Sequence, residues 1–266
     1  MLTLQRARNK ASDAGEPLPT VFPILASNGI HFRRSQLTLL AAGPGVGKSL
    51  VSVTLAVRSG VPSLYYSADS DEHTMYTRIG AMLTGWETDK VEQAVRHRTD
   101  GYRTVEAAVS HSDNIRWSFN PDPDTHDLEM DLQAFAGTYG DYPSLIVIDN
   151  LRDLYGSSEE GEFSMGERCK YLKVVARNTG AAVVALHHVT GEYDDGIKPV
   201  PMSGLIDKIS KIPEMICTID RNPQMVTMDG LQTMNMRPVK NRGGRGDASG
   251  SWALPLQADM PRMTLT

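Results

Sequence analysis

Short apolar runs alternate along this chain with stretches whose apolar positions recur at helical spacing, as expected when strands are buried between two layers of helices. The first run predicts a strand over Gln36 to Ala41. The positions after Gly47 predict a helix to Arg58, closed by Gly60 at C′. Ser63 to Ala68 predicts the next strand, followed by helices over Glu72 to Leu83 and across Glu87 to Ser110, the latter broken at Thr99-Asp100-Gly101. A strand is expected at Asn114 to Phe119 and, after the turn PDPDTHD, a helix at Asp127 to Gly137. Ser144 to Asp149, SLIVID, is apolar until its terminal acid, as a central parallel strand covered on both faces must be. Gly156 to Gly161 is expected as a mobile loop, Met165 to Asn178 as a helix, Ala181 to Leu186 as a strand and His187 to Ser203 as a second long loop. Late strands near Met215 to Asp220, Gln232 to Val239 and Trp252 to Leu256 complete an α/β pattern with a mostly parallel sheet.

Residues 1–29 mix charge with Pro17, Pro19 and Pro23 without periodicity and are expected as an arm or adaptor that touches a neighbour or is mobile. Residues 30–266 are expected as one large domain. Cys169 and Cys217 have no metal-ligand spacing, so they read as buried apolar residues and not as a disulfide framework or zinc site. The absence of a signal segment or spanning apolar run points to the cytoplasm, the host's if a phage encodes the chain. A formal net charge of −5 confines any nucleic-acid contact to loops or to a channel built by several subunits.

Candidate chemistry begins at the turn AGPGVGKS, Ala42 to Ser49, between the first strand and the first long helix. This is the context of a phosphate-binding P-loop, with Gly43, Pro44, Gly45, Val46, Gly47, Lys48, Ser49 and Leu50 as its nucleotide-binding residues. The glycines let successive backbone N–H groups face phosphate oxygens, and the helix start adds the positive end of its dipole. Lys48 is suited to the β- and γ-phosphates of ATP and the Ser49 hydroxyl to Mg²⁺. Ala42 replaces the usual first glycine, which requires a negative φ there. Asp149, at the end of SLIVID, is the candidate to hold Mg²⁺ with Ser49. Asp69, closing SLYYSAD, is the candidate base for an attacking water, with Asp71 and Glu72 as rivals that also suit a helix start. His187 and His188 end another strand, where one of them can sense the γ-phosphate or bind metal. Lys240 and Arg242 alternate in MRPVKNRGG, remote from their own P-loop and suited to stabilising charge at a neighbour's nucleotide. The alternative for this pair is a solvated basic strand end, or a DNA phosphate contact by Arg245.

Together AGPGVGKS, YYSAD, LIVIDNL, ALHHVTG and VKNRGG resemble the RecA-like motor domain of DnaB-type replicative helicases, over about Ile30 to Leu256, and look closest to compact hexameric phage and plasmid members. The resemblance implies a three-layer α/β P-loop fold, ATP hydrolysis at subunit interfaces of a ring-forming homo-oligomer, and single-stranded or forked DNA as partner. By it, Asp69 stands where the family has a catalytic glutamate, His188 where many members have a glutamine sensor, and Lys240 with Arg242 where the family has trans-acting fingers. The loops after the Mg²⁺ strand and the sensor strand would face DNA, with Lys198, Lys208 and Lys211 better suited to phosphates than the acidic Gly156 to Phe163. The rivals are a RadA-like recombination or annealing ATPase, a metal-dependent nuclease with His187, His188, Asp149 and Asp69 as ligands, and a regulatory ATP-binding module without motor activity.

Overall fold

The computed structural model describes residues 15–158 and 161–266. Its main sheet contains six parallel strands, β1 (Leu37–Ala42), β2 (Ser63–Ser67), β3 (Ile115–Ser118), β4 (Leu145–Asp149), β7 (Ala182–His188) and the start of β8 (Met215–Val226). They lie in the order β8-β1-β7-β4-β2-β3. Beyond β8 the sheet continues antiparallel through β9 (Gln232–Asn241), β10 (Leu254–Asp259) and β11 (Thr264–Leu265).

Alternation of side chains along each buried strand produces two cores. Leu40, Ala42, Tyr65, Val147 and Leu186 face one side with Leu50 and Val51 of α2 (Lys48–Ser59). Leu39, Ala41, Tyr66, Ile148 and Ala185 face the other, against Leu128 of α6 (Thr125–Tyr139) and Leu172 of α7 (Met165–Thr179). This is the expected three-layer α/β fold. Gly60, with φ +67°, ends α2 as predicted. On the first face also lie α1 (Pro23–Ser27) and α3 (Glu72–Thr84). The broken helical stretch resolves into α4 (Thr88–His97) and α5 (Tyr102–Ser110).

Three features depart from the sequence reading. In the expected arm, Leu18, Phe22 and Leu25 are buried in the same core as Leu50 and Leu55. Each contributes about 1.5–3 kcal/mol of burial, enough to fasten an aperiodic, proline-broken segment to the domain; residues 1–14 lie outside the described residues. The expected loop at Gly156–Gly161 contains a small antiparallel pair, β5 (Ser157–Ser158) with β6 (Gly161–Glu162), closed by a Phe163 N–H bond to the Gly156 carbonyl. Such two-residue strands are too short to show a period. β8 and β9 run further than the apolar pattern because their outer halves form a projecting hairpin, where Met225 and Met228 are exposed.

Candidate nucleotide site at the carboxyl edge of the sheet

Parallel strands deliver the ends of β1, β2, β4 and β7 to one edge, and the turn between β1 and α2 sits there. Gly45 (φ +69°) and Gly47 (φ +122°) adopt left-handed backbone that side chains resist. Gly43 is required for a different reason, since a Cβ there would lie 2.5 Å from the Asp194 carbonyl oxygen. Ala42 closes β1 beside His188 and is not among the positive-φ residues, which is why alanine serves at that position. No side chain caps the start of α2, so its first N–H groups remain available to an anion.

Lys48 is buried. Its Nζ donates to the carbonyls of Ala42 (3.1 Å) and Gly43 (3.0 Å) and lies 3.2 Å from His188 Nδ1. Burial pushes its pKa down to about 8, against the opposing pull of Asp149 and Asp69. Burial, then the Lys48 charge, also lowers the His188 pKa. A neutral His188 that accepts from Lys48 through Nδ1 carries its proton on Nε2, which is 4.0 Å from Asp69 Oδ2.

Asp149 is buried beneath the turn. It bonds the Ser49 hydroxyl and accepts from Tyr65 Oη at 3.1 Å; burial raises its pKa and these two bonds oppose the shift. The Ser49 hydroxyl and Asp149 carboxylate form a hard oxygen pair that fits Mg²⁺ beside a phosphate. Asp69 is exposed and accepts from Asn150 Nδ2 at 3.0 Å, while Asn150 Oδ1 accepts the Arg152 N–H at 3.0 Å and so fixes the amide's orientation. Of the two rivals, Asp71 caps α3 by accepting the Thr74 N–H at 2.7 Å, bonds that hold its carboxyl below the usual range, and Glu72 is the first residue of that helix.

The structure brings together Gly43 to Leu50, Asp69, Asp149 and His188, and separates Lys240 and Arg242 from them. Because β9 runs antiparallel and Lys240 pairs with Ile216 at the start of β8, both basic residues lie at the opposite edge of the sheet. There Lys240 Nζ donates to the Ser210 carbonyl at 2.5 Å and Arg242 Nη2 to the Lys211 carbonyl at 2.9 Å. Three neighbours of the site were missed in the sequence. Tyr65 and Asn150 stand within motifs already singled out, and their roles were legible from strand alternation and adjacency. Arg221, whose Nη2 donates to the Gly45 carbonyl at 2.8 Å, carries no local signal and reaches the turn only through the sheet order.

The loops after β4 and β7 border an open groove of about 1150 Å³ that Arg152, Tyr155, Phe163, Arg168 and His188 help to line. Lys198 is exposed, 3.8 Å from Glu192, and Lys211 is exposed; the Lys208 side chain lies outside the described residues. His187 is buried. No group of three or more His, Cys, Asp or Glu among the described residues is arranged to hold a metal. Cys169 and Cys217 are buried thiols, and no helix among the described residues is long and apolar enough to cross a membrane.

Fold and site define a P-loop ATPase with the architecture of helicase ATPase domains. One solved ATPase domain superposes with a TM-score of 0.79 at 15% identity, covering 99% of this chain and 95% of that one. A DnaB-like replicative helicase, solved in a study of its interactions with primase, gives a TM-score of 0.74 at 13% identity, over 97% of this chain and 63% of that one. At such identities the likeness is one of fold. The AAA domain family profile matches residues 6–192, and the chain belongs to that family. Its relatives include the Gene 65 protein of Mycobacterium phage L5, 40% identical over 258 residues (94% of this chain, 92% of the relative). The Gene 65 protein of Mycobacterium phage D29 is 38% identical over 221 residues (81% and 92%).

Proposed function

We propose that the chain is the motor ATPase of a phage-type DNA helicase, which hydrolyses ATP between subunits of a ring-forming homo-oligomer and acts on single-stranded or forked DNA. The observation that carries this reading is the division of the chemistry between two edges of one sheet. Lys48, Ser49, Asp69, Asp149 and His188 gather at the carboxyl edge, while Lys240 and Arg242 lie at the other, out of reach of their own P-loop.

In this reading the glycine turn and the start of α2 bind the phosphates, and Lys48 exchanges its backbone carbonyls for phosphate oxygens. Asp69, oriented by Asn150, accepts the proton of the attacking water as the γ-phosphoryl bond loosens. His188 responds to the γ-phosphate through its link to Lys48 and passes that response to the loop that follows β7. Ser49 and Asp149 would hold Mg²⁺, which would supply neutralisation of phosphate charge. Lys240 and Arg242 of the adjoining subunit add positive charge to the transition state. The deciding experiment measures ATP turnover with and without single-stranded DNA, mass with and without nucleotide, and displacement of a strand from a forked duplex. DNA-stimulated turnover, a nucleotide-stabilised oligomer and unwinding are expected. Strand pairing without unwinding, or a monomer with DNA-independent turnover, would overturn the proposal.

A further inference from the structure

The two basic residues are not loose ends. Arg242 donates its backbone N–H to the Glu214 carbonyl at 3.0 Å, and its Nη1 lies 3.9 Å from Glu214 Oε1. Glu214 is itself held at several points. Its N–H donates to the Leu37 carbonyl at 3.0 Å, its Oε2 accepts the Leu37 N–H at 3.1 Å, and its Oε1 meets Lys173 Nζ of α7 at 2.5 Å. The side chain is only 12% exposed. Leu37 is the first residue of β1, the strand whose other end is the P-loop. A glutamine would satisfy the Leu37 N–H equally well, so that bond does not account for a charge in a half-dry position. What accounts for it is the cations beside it, Lys173 at 2.5 Å and Arg242 at 3.9 Å, with Lys240 near enough to feel its charge.

We propose that Glu214 is a positioning residue for Lys240 and Arg242. Its carboxylate meets Arg242 directly and acts on Lys240 through its charge, and it ties both to the strand that carries the P-loop. The inference rests on the reading that these two residues act on a neighbour's nucleotide. Burial, then the charge of Arg242, pushes the Lys240 pKa down to about 8, with Glu214 pulling it up and Lys173 pressing it down. These are the charged groups that face Lys240 from its own strand, from the segment before β8 and from α7; the Ser210 carbonyl completes its surroundings. The geometry thus makes a prediction with opposite signs. Removing Glu214's charge lowers the Lys240 pKa, and removing Lys173's charge raises it.

The test is trace acetylation of the nucleotide-free protein across a pH series, read at Lys240 by mass spectrometry, in wild type, Glu214→Gln and Lys173→Met. It is paired with kcat and KM for ATP in the presence of single-stranded DNA. Lys240 should titrate lower in Glu214→Gln and higher in Lys173→Met, by roughly half a unit or more in each case. In Glu214→Gln, kcat should fall about fivefold or more with KM unchanged. An unmoved Lys240 titration in Glu214→Gln would overturn the inference, as would kcat and KM changing together, the sign of a displaced P-loop strand. Should Glu214→Gln lose its circular dichroism spectrum, Lys173→Met decides alone, and an unmoved Lys240 there is equally fatal. Wild-type turnover by Lys240→Ala and Arg242→Ala would remove the trans-acting reading and this inference with it. Slow turnover by those two variants beside a normal kcat in Glu214→Gln would remove only the role of Glu214.

Discussion

Lys48 Nζ and His188 Nδ1 meet at 3.2 Å across the ends of adjacent parallel strands, in a register that pairs Ala42 with His188. An anion that draws the ammonium toward itself must lengthen or reshape this bond. On the proposed reading, the imidazole would register bound phosphate through this bond.

Lys48→Met should abolish hydrolysis and at the same time stabilise the nucleotide-free fold, by roughly 1–3 kcal/mol. The folded pKa of about 8 lies below the usual value of 10.5. Below pH 8 the lysine is charged in both states, so the folded state bears the full cost of burying the ammonium, and this cost is relieved as pH rises from 8 towards 10.5. Thermal melts at about pH 7 with parallel ATPase assays check both halves; hydrolysis at the wild-type rate would remove the central assignment.

ATP affinity should decline as pH rises above about 8, because phosphate binding requires the protonated Lys48 whose pKa in the free protein is about 8. Bound phosphate raises that pKa, so binding at about pH 8.5 takes up a proton. Calorimetry in two buffers of different ionisation heat measures the uptake, and equal heats in both would contradict it.

Asp69→Asn should bind ATP and fail to turn it over, whereas Asp71→Asn should keep near-normal turnover, since its carboxylate is occupied in capping α3. Asn150→Leu should lower kcat about tenfold at constant KM by releasing Asp69 from its 3.0 Å bond. Nucleotide binding and single-turnover rates distinguish these cases. Loss of turnover in Asp71→Asn, with Asp69→Asn active, would reassign the base.

Asp149→Asn should cost at least about tenfold in turnover and raise the Mg²⁺ concentration needed for half-maximal rate. The bond between Ser49 and the buried Asp149 motivates this expectation. An unchanged magnesium dependence would leave Asp149 a structural partner of Tyr65.

Arg242→Ala should bind ATP nearly normally and hydrolyse it slowly. Mixing it with Lys48→Ala subunits should restore activity, because an intact P-loop from one parent then meets an intact basic residue from the other. Normal turnover by Arg242→Ala and Lys240→Ala, singly and combined, would sink the shared-site arrangement.

Much of this architecture was legible because burial on both faces writes continuous apolar runs into β1, β4 and β7, and because Gly60 and the acid of SLIVID mark element ends with side-chain chemistry. The P-loop was legible for the same local reason. The packed segment around Leu18 and Phe22 was not, since its apolar anchors are separated by prolines and obey no period. Arg221 was invisible for a topological reason. Its approach to Gly45 depends on β8 lying beside β1, and sheet order is a property of the whole chain. Sequence distance hints that Lys240 is separated from its own P-loop, but the antiparallel pairing of β9 on β8 is what places it at the far edge.

The two kinds of glycine in the P-loop differ in how damage to them could be repaired. At Gly45 the obstacle is the residue's own backbone, φ +69°, and alanine there suffers about 1–2 kcal/mol of internal strain that no change elsewhere relieves. At Gly43 the obstacle is a neighbour, the Asp194 carbonyl oxygen 2.5 Å from a new Cβ. A defect at Gly43 therefore depends on whether the backbone at Tyr193 and Asp194 can shift, whereas the strain at Gly45 belongs to its own backbone whatever surrounds it.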